Sequence, residues 1–326
     1  MSNRNRATSI LPHRLGSIVA ALAFTFSLVA CSVTEYELPI KTLSEATTSA
    51  NSGLIGYSDL AVNEVRKVRR EEAAANPVGV RIDQSNCLGD SERCQIVILR
   101  NRDDPNPRLL EPEPPIPDIL RLMSEIRKYA NGLQAIVTAD TKARVEKSVD
   151  SVNGNLINLA SLIGADAKAF GSFATPAGEA VKWIFGAYID SVKLNALRTA
   201  TRNADPLITE AVDVFEDAML AANQITRDSL AEVVSRRHDA YRESPTDANL
   251  TNLVNAAQSY EAVLTAKPEQ IFQKLAQAHS DLTKALNNDE VSWDRAFASL
   301  ESVKSDAKKL EGIVSALLAA ARTEER

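Results

Sequence analysis

Aromatic side chains make up only 5% of this 326-residue chain, and glycine supplies 12 residues. So little of either excludes an all-β sandwich or barrel, whose strands draw on aromatic residues and whose many turns draw on glycine. A basic surplus is lacking as well, since 37 Lys and Arg stand against 43 Asp and Glu for a net charge of −6. A nucleic-acid partner is therefore not expected, because neutralising phosphates takes a basic surface. Three cysteines and three histidines leave little from which to build a metal centre. What remains is 44% hydrophobic and 25% charged. That is the globular average, and the length suits about two domains or one elongated one.

The charges at the start are one-sided. Arg4, Arg6 and Arg14 occur without an acid, and Leu15 to Ala30 then run sixteen residues uncharged. A basic start followed by an apolar run shorter than a bilayer-spanning helix is the pattern of an export signal. The run ends in Leu28, Val29, Ala30 and Cys31. This tetrapeptide resembles the lipobox of bacterial lipoproteins. The resemblance implies that the Cys31 thiol is alkylated by diacylglycerol, that residues 1–30 are cut away, and that the new amino terminus is acylated. Where members of that family retained at the inner membrane carry Asp, this chain has Ser32. For a two-membrane host that implies the outer membrane, facing the periplasm. Two or three acyl chains, at about 0.8 kcal/mol per buried methylene, anchor a protein stably where one does not. Loss of residues 1–30 removes three Arg and no acid, so the net charge falls from −6 to −9. Membrane contact is thus expected through the lipid rather than through a basic surface.

With Cys31 consumed, Cys87 and Cys94 remain, and an even pair in an exported chain reads as one disulfide. No nearby His completes a zinc site, and the two-residue spacing of a redox pair is missing. The β-branched runs Val78–Ile82 and Gln95–Leu99 flank the pair. A small disulfide-pinned β-hairpin is the economical reading, the crosslink contributing about 2–3 kcal/mol on the loop-entropy model. The expected layout has a signal over 1–30 and a Ser/Thr-rich lipidated tether over 31–56. A short helix with the hairpin follows over 57–102. The charged run Arg66–Glu72 on that helix reads as a solvated face with i,i+4 pairs rather than a headgroup-binding patch. Six prolines make 103–117 a stiff linker.

From 118 to 326 the pattern is helical. Ile119, Leu122, Ile126, Ala130, Leu133 and Val137 recur at three-and-four spacing, as do Val145, Val149, Val152, Leu156, Leu159 and Ile163. These are narrow stripes of the coiled-coil type, with a break near Thr138–Thr141. A glycine-punctuated connection spans Gly164–Gly178. The next helix is expected to be interrupted at Asp205-Pro206. Ser244-Pro245-Thr246-Asp247 opens a further helix, Lys267-Pro268 marks another, and Asn287–Glu290 opens the last. Short connections between long helices predict an all-α, elongated antiparallel helical bundle. Stripes of this kind serve intra- and intermolecular packing alike, so a homo-oligomer stays open.

Catalytic signatures are sparse. His238 and His279 lack the partners of a helical di-iron or H-E-x-x-H zinc site, and both read as surface residues. Ser305 and Lys308 match S-x-x-K, but the K-T-G strand that accompanies it in penicillin-binding proteins does not occur. No catalytic residues, cofactor or metal are expected. The reading is a non-enzymatic envelope lipoprotein, a structural or protein-interaction module with an envelope protein partner. A second reading rests on the apolar stretch Leu156–Ile189, whose layout between long helices resembles that of helical pore-forming toxins. There Phe170, Phe173, Trp183 and Phe185 are candidate contacts to a membrane or a transport complex, although Asp166, Lys168, Glu179 and Lys182 keep the stretch from spanning a bilayer.

Overall fold

Ser, Thr, Ala and Gly crowd residues 42–56, and this small, polar stretch belongs to the longest helix rather than to a tether. The computed structural model describes residues 16–83, 95–99, 108–110, 116–164, 185–287 and 291–324; for 16–34, 82–83, 95, 185–188 and 320–324 it describes the backbone alone. Helix α1 (Gly16–Ala75) runs through the expected tether. Tyr36, Ile40, Leu43, Ala46, Ala50, Leu54 and Tyr57 form its buried stripe. The buried hydroxyls are satisfied partly by neighbouring helices, Thr42 donating to Glu301 at 3.3 Å and Ser44 to Asn131 at 2.7 Å, and partly by the helix itself. Thr47 donates to the carbonyls of Leu43 and Ser44 at 2.9 and 3.0 Å, and Thr48 to that of Ser44 at 2.8 Å.

Among the described residues six more helices follow: α2 (Pro117–Thr138), α3 (Lys142–Ile163), α4 (Phe185–Glu243), α5 (Asp247–Ala266), α6 (Pro268–Leu286) and α7 (Trp293–Glu324). Their ends follow local chemistry. Pro117 opens α2, where a missing N–H costs nothing. The Thr141 and Thr246 side chains cap α3 and α5 by accepting from Arg144 N and Asn249 N. Gly164, at φ 76°, closes α3 in the left-handed region that glycine favours. Asp205-Pro206 does not interrupt its helix as expected, because α4 continues through Pro206. The last helix starts at Trp293, with Ser292 Oγ accepting from Arg295 N, a little later than Asn287–Glu290 suggested.

Between α1 and α2 lies a small antiparallel sheet of order β1 (Val80–Asp83), β2 (Gln95–Ile98) and β3 (Arg108–Leu109). The expected hairpin is present, with Val80 opposite Ile98 and Asp83 opposite Gln95. Part of the expected linker is a third strand, pairing Val97 with Leu109. Two strands alone are marginal in water. Here Arg69 of α1 donates to the Leu109 carbonyl, and the sheet leans on that helix. Cys87 and Cys94 lie outside the described residues.

Cross-helix pairs give the directions. Glu125 meets Asn158, Asn223 meets Glu269, and Asp281 meets Ser299. A second pair at each interface steps the opposite way along the partner, with Gly132 facing Val152, Asp205 meeting His279 and Lys274 meeting Asp306, so α2/α3, α4/α6 and α6/α7 run antiparallel. Helix α1 departs from that scheme. Glu45 pairs with Lys304 and Gly53 faces Leu310, and Tyr57 meets Asn223 while Glu71 meets Arg236. It therefore runs parallel to both α7 and α4. The glycines permit the first of these contacts. A β-carbon at Gly56 would stand 2.7 Å from Val314 Cγ1. One hydrophobic core collects buried residues from all seven helices, with Phe215 and Phe272 stacked at 3.7 Å between ring centroids.

Candidate functional site

The side chains with the most chemistry sit inside this core. His279 lies on the apolar stripe of α6, one turn after Leu275 and two before Leu286, so the helix carries it inward. It is fully buried rather than a surface residue. Its Nδ1 is 3.0 Å from Asp205 Oδ1 on α4, and its Nε2 is 2.9 Å from the Tyr129 hydroxyl on α2. A carboxylate only accepts, so Nδ1 carries the hydrogen and donates to Asp205, leaving Nε2 to accept from the Tyr129 O–H. Burial and the Asp205 charge raise the Tyr129 phenol well above its ordinary value. Around the trio, Thr201 and Thr283 donate to carbonyls one turn back in their own helices.

A carboxylate orienting an imidazole against a hydroxyl is the geometry of an activated nucleophile. In this chain the hydroxyl at the end of the relay is only 1% exposed. It is packed by three helices, and what the relay does is pin α2, α4 and α6 in one register. The sequence carried a sign of this, for His279 and Tyr129 both occupy stripe positions. By contrast His238 is exposed on α4, beside Asp239 at 3.9 Å, as expected.

Two further polar clusters cross between helices. Tyr57 donates to Asn223 Oδ1, whose Nδ2 donates to Glu269 Oε2 at 2.9 Å. Burial pushes the Tyr57 phenol up to about 12. The charged run on α1 is not merely a solvated face, since its acids are tertiary ties. Glu71 pairs with Arg236 and Arg237 of α4, each at 3.1 Å, and Glu72 with Arg108 of β3 at 2.6 Å. These pairs hold the end of α1, the sheet and the end of α4 together. On the surface, Lys128, Asn131, Gly132, Lys147, Ser148 and Asn155 line a groove of about 430 Å3 between α2 and α3. Among the described residues no group of three His, Cys, Asp or Glu is placed to hold a metal ion, and no helix is long and apolar enough to cross a membrane.

The candidate site residues named from the sequence fall where no side chain is described. Cys31 falls within α1 and Phe185 opens α4, with their side chains outside what is described. Phe170, Phe173 and Trp183, like Cys87 and Cys94, lie outside the described residues. No family model, curated protein or solved structure matches the chain. The chain is mostly helical, with a small three-stranded antiparallel sheet.

Proposed function

We propose that this chain is a bacterial envelope lipoprotein, anchored through Cys31 at the outer membrane and facing the periplasm, whose elongated helical bundle serves as a non-enzymatic structural or protein-interaction module. The observation that carries this reading is Leu28-Val29-Ala30-Cys31 at the end of a sixteen-residue uncharged run that follows three unopposed arginines. The polar groups of the interior support it, because the relay and the Tyr57 network serve packing between helices. In an oxidising compartment Cys87 and Cys94 form a disulfide across the β1–β2 connection. The membrane contact is the lipid, and the partner is another protein of the envelope. The test is metabolic labelling with radioactive palmitate alongside membrane fractionation. Label enters the parent chain and is lost in Cys31→Ser, which leaves the membrane fraction. Absence of label in the parent, with unchanged fractionation of Cys31→Ser, refutes the reading.

A further inference from the structure

Helix α4 has an outward face that no other described element covers. Val214, Leu220 and Ile225 stand 40%, 52% and 49% exposed on it, and none of the three packs against the core. Glu210, Asp213, Asp217 and Asp228 share the face at helical spacing, and all four are exposed. Among the described residues these carboxylates make no hydrogen bond or ion pair. From Pro206 to Val234 the chain holds six acids and one base, the half-buried Arg227. Apolar side chains set among unpaired carboxylates fit a partner face that offers cations and little bulk.

The groove between α2 and α3 has that character. Lys128 and Lys147 line it and no acid does, in a chain whose net charge is −6. Gly132 and Ala135 give it a floor with little side chain. Lys147, Ser148, Ser151 and Asn155 make no hydrogen bond or ion pair among the described residues. Asn131 spends its Oδ1 on Ser44, which leaves its amide hydrogens to donate. Lys128 gives one hydrogen to Glu125 at 2.6 Å and keeps two. Past the two ends of the groove, Arg121 and Arg144 are paired only to the exposed Asp118 and Asp140, contacts worth little. The lengths agree as well. Arg121 to Thr138 covers about 26 Å of α2, and Glu210 to Asp228 about 27 Å of α4.

We propose that the outward face of α4 docks into the α2–α3 groove of a second copy of this chain. Its carboxylates meet Lys128 and Lys147, and its apolar side chains cover the floor at Gly132 and Ala135. Within one chain the two faces stay apart, for among the described residues no ion pair joins these acids to either lysine. The contact is heterologous, because a face of one kind meets a face of another. Each added copy therefore leaves one α4 face and one groove open, and assembly runs on into a ring or a filament. This self-association adds to the proposed module and does not rest on Cys31, so its failure leaves the anchor standing.

The full chain is purified in mild detergent, and its sedimentation coefficient is followed over a concentration series at low salt. In the parent the coefficient is expected to rise with concentration and to fall back in about 0.5 M sodium chloride, which screens the pairs. Lys128→Glu/Lys147→Glu and Asp213→Lys/Asp217→Lys are each expected to lose the rise. Mixed in equal amounts, the two variants associate again, since each brings the face that the other has lost. Should a charge reversal lose the parent's helical circular dichroism, Lys147→Gln and Asp217→Asn supply the reading, each with a smaller rise than the parent. A parent that keeps one value throughout, variants that rise as it does, or a mixture that stays dissociated overturns the proposal.

Discussion

Replacing Tyr129 by Phe deletes one oxygen from the middle of the core. The His279 ring it served is fully buried, so Nε2 is left with no partner and no water. A buried polar atom stranded in this way costs about 1–3 kcal/mol. His279→Leu keeps the volume roughly constant and strands the Tyr129 hydroxyl instead, at a similar cost. Asp205 loses its partner too, but its side chain is 29% exposed and turns to water. In Tyr129→Phe/His279→Leu neither orphan remains. The double variant should therefore be more stable than the sum of the single losses, with a coupling of at least about 1 kcal/mol. Urea denaturation of the chain, followed by helical circular dichroism at constant m-value, measures all four corners of the cycle. Additivity to within about 0.3–0.5 kcal/mol would mean that the relay does not pin the three helices.

Two other perturbations test the packing and the buried phenols. A β-carbon at Gly132 would stand 2.5 Å from Val152 Cγ2 on α3, so Gly132→Ala should lower the melting temperature through an overpacking cost of about 1–3 kcal/mol. In a Val152→Ala background the clash is gone, and the same substitution should stabilise by up to about 1 kcal/mol through helix propensity; an unchanged sign in the two backgrounds refutes the close α2–α3 approach. Burial raises Tyr57 from 10.0 to about 12, so the fold favours its neutral form. That stability is fully present below pH 10.0, is lost as pH rises through about 12, and amounts to something on the order of 2 kcal/mol. Denaturation midpoints across this alkaline window should fall less steeply in Tyr57→Phe than in the parent.

Much of the helical part was legible because its signals are local. The break between α2 and α3, the start of α5 close to Ser244-Pro245-Thr246-Asp247, the Lys267-Pro268 junction and the two strands beside the cysteines all follow from residues within a few positions, although the capping residue of α5 is Thr246 and not the Ser244 that a capping box implies. Helix α1 was not legible for a physical reason. Its inner face between Thr42 and Gly56 carries mostly small side chains, with the Thr47 hydroxyl bonding back to the helix and those of Thr42 and Ser44 bonding to α7 and α2, so burial there leaves little hydrophobic periodicity. Asp205-Pro206 misled in the opposite direction. A residue that signals a turn in isolation is held within α4, where Asp205 meets His279 across the helix interface. The acids of the α1 charged run were read by local spacing, whereas their partners Arg236, Arg237 and Arg108 are distant in sequence. His279 was misjudged by its neighbours Gln277 and Asp281 rather than by its place on the stripe.

The parallel packing of α1 against α7 joins segments distant in sequence, with Thr42 bonded to Glu301 and Glu45 to Lys304. An early segment is thus covered by one that lies 259 residues later along the chain. Contacts of such long sequence separation delay folding of this part until α7 has been made. A chain cut short before residue 293 leaves the side of α1 that meets α7 bare to solvent, a flank that its other neighbours, α2 and α4, do not cover.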